Sequence, residues 1–243
     1  MDPLSAIRST SEGLVVSART AGIDARVPSC PEWDVHALVL HTGTTQRWAA
    51  TLVSTRATGY VEADLGEVPV DREGIFDWFE AGTSRLIDVL GATDPETPVW
   101  SWAGDHHMRF WARRMAHETA LHGWDASHAA RTDRPIPADL AVDGIDEQLE
   151  NIPYMIAFRP EVASLRGSGE SIHLHATDTE GEWLIRLTAE RVEWSREHVK
   201  GDVAARGSAS DLFLFLVGRM PPTELEVFGD GTLLDRWQRD FRF

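Results

Sequence analysis

One helical segment decides the fold, and it reads Trp111-Ala-Arg-Arg-Met-Ala-His-Glu-Thr-Ala-Leu-His-Gly-Trp-Asp125. At about 100° per residue, Glu118 and His122 lie about 40° apart on one face of this helix. The same face carries Trp111, Met115 and Asp125, so apolar side chains share it with two carboxylates and an imidazole. An apolar face predicts a buried position, where an unpaired charge costs several kcal/mol. We therefore expect these polar groups to be paired with each other or bound to a metal.

A second predicted helix also has a polar residue on its apolar face. His41 recurs with Leu38 and Trp48 at helical spacing, so it lies on an apolar face. If His41 meets Glu118 and His122 across a bundle, two imidazoles and one carboxylate leave open positions on a divalent ion. The spacing is equally consistent with a hydrogen-bonded core histidine and an ordinary i, i+4 helix pair, so both interpretations stay open.

The hydrophobic period divides the chain into two regions. The first 160 residues have the helical period and the short connections typical of an antiparallel bundle. Predicted helices run from Pro3 to near Gly22, from Asp34 past Leu52, from Arg72 to Leu90, from Arg109 to Ala130 and from Ala138 to about Phe158. After Pro160 the period becomes two, which predicts antiparallel strands at 172–176, 183–187, 192–194 and 225–228, with helices at 208–219 and 233–241. The sequence thus predicts an α+β protein, with a helical bundle in residues 1–160 and a small α+β domain in residues 161–243.

Composition excludes several classes of partner. The 243 residues include 39 Asp and Glu against 23 Lys and Arg, a net charge of -16 that repels nucleic-acid phosphates and anionic lipids. The longest apolar run, 212–217, is far shorter than the roughly 20 residues of a membrane helix. The start Met-Asp-Pro lacks the pattern of an export signal. We expect a cytoplasmic protein with neither nucleic acid nor membrane as partner, and the oligomeric state stays open.

Other chemically capable residues carry weaker signals. The single cysteine, Cys30, excludes a disulfide framework, and we favour a packing role for it over that of a nucleophile. His117 lies about 140° from His122 around the helix, so the pair is not a zincin motif. His173 and His175 share one strand face and could bind a metal, although a solvated sheet face is the favoured interpretation. Serine-hydrolase, P-loop and Rossmann fingerprints are lacking.

Four motifs, taken in order, resemble a known family. They are Val27-Pro-Ser-Cys-Pro-Glu-Trp33, then Leu38-Val-x-His41, then Arg114-x-x-x-Glu118-x-x-x-His122-x-x-Asp125, and finally Gly207-Ser-Ala-Ser-Asp-Leu212 with Gly218-Arg219, Phe228-Gly-Asp230 and Trp237. Together they resemble the maleylpyruvate isomerase-like, mycothiol-dependent enzymes of actinobacteria. One departure is Ala37, where the family commonly has an acidic residue.

The resemblance implies a fold and a set of site residues. It implies a DinB-like four-helix bundle followed by a small α+β domain similar to sterol-carrier folds. It further implies a divalent metal, usually zinc, on His41, Glu118 and His122, with mycothiol as cosubstrate. Arg219 is implied as a catalytic residue that the C-terminal domain contributes near the active-site cleft. Its planar guanidinium is suited to bidentate pairing with a carboxylate.

The chemistry of a zinc-bound thiol agrees with that implication. A free thiol has a pKa of about 8.5, whereas zinc deprotonates a thiol that it binds. Two imidazoles and one carboxylate leave a divalent site at a net charge of +1, which one thiolate neutralises. Neither ligand-bearing helix contains a cysteine, so the thiol must come from outside the chain.

We therefore predict a metal- and mycothiol-dependent isomerase or transferase that acts on a small electrophile. Asp125 is expected either to orient His122 or to pair with Arg114. Two alternatives stay open at this point. One is a protein that binds a hydrophobic ligand without turnover, and the other is a hydrolase that uses a metal-bound hydroxide.

Overall fold

Four long helices form the N-terminal unit. In the computed structural model, which describes residues 1–241, they are α1 (Pro3–Ala21), α2 (Val35–Thr55), α3 (Ile75–Gly91) and α4 (Met108–Ala129). Helices α1 and α2 each pack against both α3 and α4. The predicted helical bundle is confirmed, with Leu14, Leu38, Phe76 and Phe79 fully buried in its core.

Helix starts follow the capping residues that the sequence contains. Asp2 accepts a hydrogen bond from the backbone N–H of Leu4 at 3.3 Å, and Pro3 occupies the first helical position. Asp34 caps α2 by accepting from the N–H of Ala37 at 2.8 Å. Ala37 therefore serves the cap through its backbone. This cap fixes the start of the helix that carries His41.

A buried polar layer joins all four helices. Gln46 on α2 donates to Thr119 of α4 at 3.0 Å and to Ser11 of α1 at 3.3 Å, and its carbonyl oxygen accepts from Thr83 of α3 at 2.7 Å. All four side chains are buried. Each of these hydrogen bonds forms only when two helices have one particular shift along their axes. The layer therefore favours a single register of the bundle.

The connections after α2 and α3, residues 56–74 and 92–107, are long loops rather than the short turns typical of an antiparallel bundle. Bundle side chains hold the first loop through its backbone. Trp48 donates to the carbonyl of Val61 at 2.8 Å, and the carbonyl of Leu65 accepts from Arg47 at 3.1 Å and from Trp78 at 3.0 Å. The loops lack the helical period that marks the elements they join.

The second unit combines three helices with a five-stranded sheet. Its elements are α5 (Ala138–Met155), β1 (Glu170–Ala176), β2 (Glu182–Leu187), β3 (Val192–Ser195), β4 (Val203–Gly207), α6 (Ala209–Leu216), β5 (Glu226–Gly229) and α7 (Thr232–Asp240), with single 3-10 turns at Pro160–Ser164 and Pro222–Glu224. The strand order is β3-β2-β1-β4-β5. The α+β class is thus confirmed.

The sheet itself corrects one prediction. Strand β4 was not predicted, and it pairs in parallel with β1, so the sheet is mixed rather than wholly antiparallel. Its inward residues are Val203 and Ala205, both fully buried. One valine and one alanine give too little alternating hydrophobicity to mark a strand in the sequence.

The division between the units lies between Arg134 and Pro135, earlier than the predicted boundary near residue 160. Helix α5 belongs to the second unit because it packs against α6 and β3. Gly144 allows this contact, since a Cβ there would lie only 2.8 Å from the ring of Phe213. Trp183 on β2 also donates to Asp146 of α5 at 2.8 Å. Within residues 1–241, no helix has the length and apolar character needed to cross a bilayer.

Candidate metal centre

The structure brings the three predicted ligands together inside the bundle. His41 comes from α2, and Glu118 and His122 come from adjacent turns of α4. The Oε1 atom of Glu118 lies 3.3 Å from Nε2 of His41 and 3.2 Å from Nε2 of His122. The two imidazole centroids are 5.0 Å apart. We call these three residues the bundle triad.

Glu118 is held ionised by its neighbours. Burial alone would raise the pKa of its carboxyl, but the positive charge of Arg114 and hydrogen bonds from His122 and His41 hold the pKa well below its usual range. Arg114 lies one turn earlier on α4 and donates to Oε2 of Glu118. The other oxygen, Oε1, faces the two histidines. A negative donor atom is therefore maintained at the centre of the triad.

Asp125 orients the second imidazole. Its carboxylate is fully buried and lies 2.9 Å from Nδ1 of His122, so Nδ1–H donates to it and Nε2 faces Glu118. Burial opposes the charged form of His122, but its contacts with Asp125 and Glu118 outweigh this and raise its pKa to about 8. Of the two predicted roles for Asp125, this contact supports the orientation of His122.

A loop before α2 completes the surroundings of the triad. Ser29 donates to Oδ1 of Asp125 at 2.5 Å, and the Cys30 sulfur lies 3.9 Å from Oδ2. The Trp33 ring lies 4.7 Å from that of His41 and 5.8 Å from that of His122, measured between centroids. Cys30 and Trp33 also pack against the bundle core, as the predicted packing role of Cys30 requires.

The motif 27–33 did not by itself predict that this loop contacts the triad and its outer partner Asp125. The loop folds on itself, because the N–H of Val27 donates to the carbonyl of Trp33 and the N–H of Trp33 donates to that of Cys30. The Ser-Cys-Pro-Glu-Trp order was the available signal. Only the fold shows that Ser29 contacts Asp125, 96 positions away.

The bundle triad fits a divalent metal. Each residue offers one donor atom, and the three donors lie within 4.8 Å of one another. Donors held about 2.0–2.1 Å from a tetrahedral zinc ion are about 3.3 Å apart, which matches the two separations at Glu118. Two imidazoles and one carboxylate form a typical catalytic zinc set, in which a fourth position is left for another ligand. The buried Asp125 behind His122 is the outer partner that such histidines usually have.

Arg219, the predicted catalytic residue, lies in the second unit. It follows the end of α6, where its backbone N–H donates to the carbonyl of Leu214 at 2.8 Å. Its side chain is partly exposed. Its role in catalysis stays a prediction.

Comparisons with known proteins agree with this architecture. Residues 4–127 match the family model described as mycothiol maleylpyruvate isomerase N-terminal domain, and residues 139–236 match the MDMPI C-terminal domain. No curated protein sequence matches the chain.

Two solved structures share the fold. A histidine-to-alanine mutant of the mycothiol-dependent maleylpyruvate isomerase aligns with a TM-score of 0.61 and 12% identity, covering 93% of this chain and 91% of the other. A second structure of the mycothiol-dependent maleylpyruvate isomerase gives a TM-score of 0.59 and 12% identity, covering 89% and 88%. Since the N-terminal family model alone spans just over half of the sequence, the chain belongs to the mycothiol-dependent maleylpyruvate isomerase-like family of enzymes.

Proposed function

We propose that this protein is a metal-dependent enzyme that uses mycothiol as its thiol. It would either isomerise a small electrophilic substrate or attach the thiol to that substrate through its sulfur. The observation that carries the proposal is the convergence of His41 and His122 on one oxygen of Glu118, from two helices. Family membership supports mycothiol as the thiol. Zinc is the proposed ion because imidazole and carboxylate donors in this number suit it.

The residues of the chain prepare the site for a thiol. A divalent ion bound there would lower the pKa of a coordinated thiol and so supply a nucleophilic thiolate at neutral pH. Asp125 accepts a hydrogen bond from Nδ1–H of His122, which leaves Nε2 of the neutral ring as the atom that can bind a metal. Arg114 keeps Glu118 ionised, and the His41 side chain, 41% exposed, lies at the accessible side of the triad.

The proposed reaction follows from the thiol. Addition of the sulfur to one end of a conjugated double bond leaves a single bond, about which the substrate rotates. Elimination then releases the thiol and restores the double bond in the other geometry, so no atoms or electrons are gained or lost. In the transferase version the adduct is the product. We propose that Arg219 binds a carboxylate of the substrate, for which a planar guanidinium is suited.

The test is isomerisation of maleylpyruvate by zinc-loaded protein, followed by chromatographic separation of the two isomers. We expect turnover with mycothiol and zinc together, and only the background rate when either is omitted. His41→Ala should lose both turnover and the zinc bound at the bundle triad. His36→Ala removes a histidine elsewhere on α2 and should retain both.

Two results would contradict the proposal. One is full turnover by chelator-treated protein, which would exclude the metal from the reaction. The other is thiol-independent hydrolysis of an ester or amide by the zinc-loaded protein, which would instead support the hydrolase interpretation.

A further inference from the structure

A second group of metal-binding side chains lies on the sheet of the C-terminal unit. His173 and His175 alternate with buried apolar residues along β1, so they share the opposite face of that strand. Glu182 on β2 is the register partner of His175 and therefore lies on the same face. His198 comes from the segment 196–202 between β3 and β4. We call these four residues the sheet cluster.

The four side chains converge on the carboxylate of Glu182. Its Oε1 lies 2.9 Å from Nδ1 of His175, and its Oε2 lies 3.2 Å from Nε2 of His173 and also contacts Nδ1 of His198. The three imidazole centroids form a nearly equilateral triangle with sides of 5.7 to 6.1 Å. One donor atom from each residue lies within 4.8 Å of all the others.

The favoured prediction of a solvated sheet face is therefore wrong for His173. Its side chain is only 10% exposed, whereas that of His198 is 80% exposed. The cluster thus has a buried edge on β1 and an open edge at the loop.

Anchors at both ends hold the 196–202 segment over the sheet. At one end, the Arg196 guanidinium donates to Asp146 of α5 and lies over the Trp183 ring at 4.7 Å. At the other end, Asp202 accepts from the backbone N–H and the hydroxyl of Ser171 on β1, at 2.7 and 2.8 Å.

Gly201 lets this segment pass close to β1. A Cβ at that position would lie 2.9 Å from the backbone nitrogen of His173. The approach of His198 to the other three residues is thus determined by the fold of this unit.

Ion pairing alone does not require this arrangement. One carboxylate balances the charge of one imidazolium, yet three imidazoles surround Glu182. Arg206 on β4, which is in register with His175, forms an ion pair with Glu226 at 3.0 Å. A single divalent ion would use all four donors at once and would link the loop to two strands.

We propose that the sheet cluster is a second metal site, which binds one zinc ion or a similar borderline divalent ion through His173, His175, Glu182 and His198. Imidazole-rich sets favour zinc, nickel and copper over magnesium and calcium. Four protein ligands fill a tetrahedral shell, so the site has the ligand number of a structural zinc site rather than that of a catalytic one, which keeps a position open. Its ion stabilises the C-terminal unit by fixing the 196–202 segment to the sheet.

The test is zinc stoichiometry, measured by calorimetric titration of full-length, chelator-treated protein without a polyhistidine tag. His122→Ala removes the bundle triad as a site, so the remaining binding reports on the sheet cluster. We expect one equivalent of zinc in His122→Ala, and a thermal unfolding midpoint that rises with zinc concentration. Adding His175→Ala and His198→Ala should remove that equivalent.

A matched control and a spectrum keep the result specific. His128→Ala, added instead to His122→Ala, removes a histidine outside both sites and should preserve the equivalent. Cobalt in the His122→Ala protein should give the intense visible absorption of tetrahedral coordination. The proposal is overturned if His122→Ala binds no zinc at micromolar free zinc, or if the equivalent survives the loss of His175 and His198. Circular dichroism checks that the metal-free variants are folded, and we expect the loss of His198 to leave the fold intact because its side chain is 80% exposed.

Discussion

The bundle triad and the sheet cluster use the same kinds of donor in different settings. The triad is built from two helices, and its central carboxylate is 14% exposed, with Arg114 and Asp125 behind it. The cluster is built from two strands and a loop, and one of its histidines is mostly exposed. Three protein donors leave room for a thiol, whereas four fill the coordination shell. The difference suggests that one site is suited to chemistry and the other to stability.

The two sites should respond differently to the loss of one ligand. His122→Ala should reduce zinc affinity at the triad by more than about 100-fold, because even changes in the outer shell cost about 10–100-fold. Mycothiol-dependent turnover should fall to the background rate, while the zinc equivalent assigned to the sheet cluster remains. If turnover persists when only the sheet cluster holds zinc, the triad is not the catalytic site.

The outer partners of the triad should matter next. Asp125→Asn keeps the shape of the side chain but removes the charge that orients His122. We expect zinc affinity at the triad to fall by about 10–100-fold. Asp133→Asn is a matched control, because Asp133 contacts His128 at 2.6 Å on the surface, and it should leave the affinity unchanged. Equal effects of the two variants would rule out a positioning role for Asp125.

The pH dependence of the triad follows from the raised pKa of His122, about 8 in the metal-free protein. Zinc must displace a proton from this histidine, so its affinity should rise about tenfold per pH unit up to pH 8 and then level off. The metal-free protein should show the opposite trend. The raised pKa contributes stability that is fully present below pH 6.5, the ordinary pKa, and is lost as the pH rises through 8.

Titration with a zinc buffer from pH 6 to 9 measures the first trend, and chemical denaturation of metal-free protein measures the second. In Asp125→Asn the change in slope should move to lower pH, since a group that raises the pKa of His122 has lost its charge. A zinc affinity that does not change across this range would contradict the coordination of His122.

The smallest effect is expected in the scaffold of the triad. Thr119→Val removes the hydroxyl that accepts from Gln46 inside the bundle and should lower the free energy of unfolding by about 1 kcal/mol. Thr20→Val on the exposed face of α1 should change it by less than about 0.5 kcal/mol. Zinc binding at the sheet cluster should be the same in both variants. Denaturant titration with and without zinc makes this comparison.

The triad was more predictable from the sequence than the cluster was. Glu118 and His122 are four residues apart on one helix, so local periodicity places them on one face. His41 stood out because it is polar at an apolar position of another helix. In the sheet cluster, the spacing of His173 and His175 was visible, but His198 lies in a loop without periodicity. Its position depends on the distant partners of Arg196 and Asp202.

The fold was likewise predictable where local patterns determine it, and not where contacts between distant residues do. Helix caps and helical stripes are local patterns, and they predicted α1 to α5 within a few residues. The boundary was displaced because α5 has the same period as the bundle helices, although its partners are α6 and β3. Pro135 and Pro137 marked the true junction, but the change of period at Pro160 was the stronger signal. Membership of α5 depends on the contact of Gly144 with Phe213, which no local pattern reveals.

X-ray absorption at the zinc edge shows whether a thiol binds to an ion held by the bundle triad. The protein would carry His175→Ala and His198→Ala and be loaded with one equivalent of zinc, so that the signal comes from the bundle triad. Without thiol, we expect only nitrogen and oxygen neighbours, two of them from imidazoles. With saturating mycothiol we expect one sulfur neighbour at about 2.3 Å. A spectrum that stays free of sulfur under that condition would contradict the claim that the triad holds an ion with a place open for a thiol.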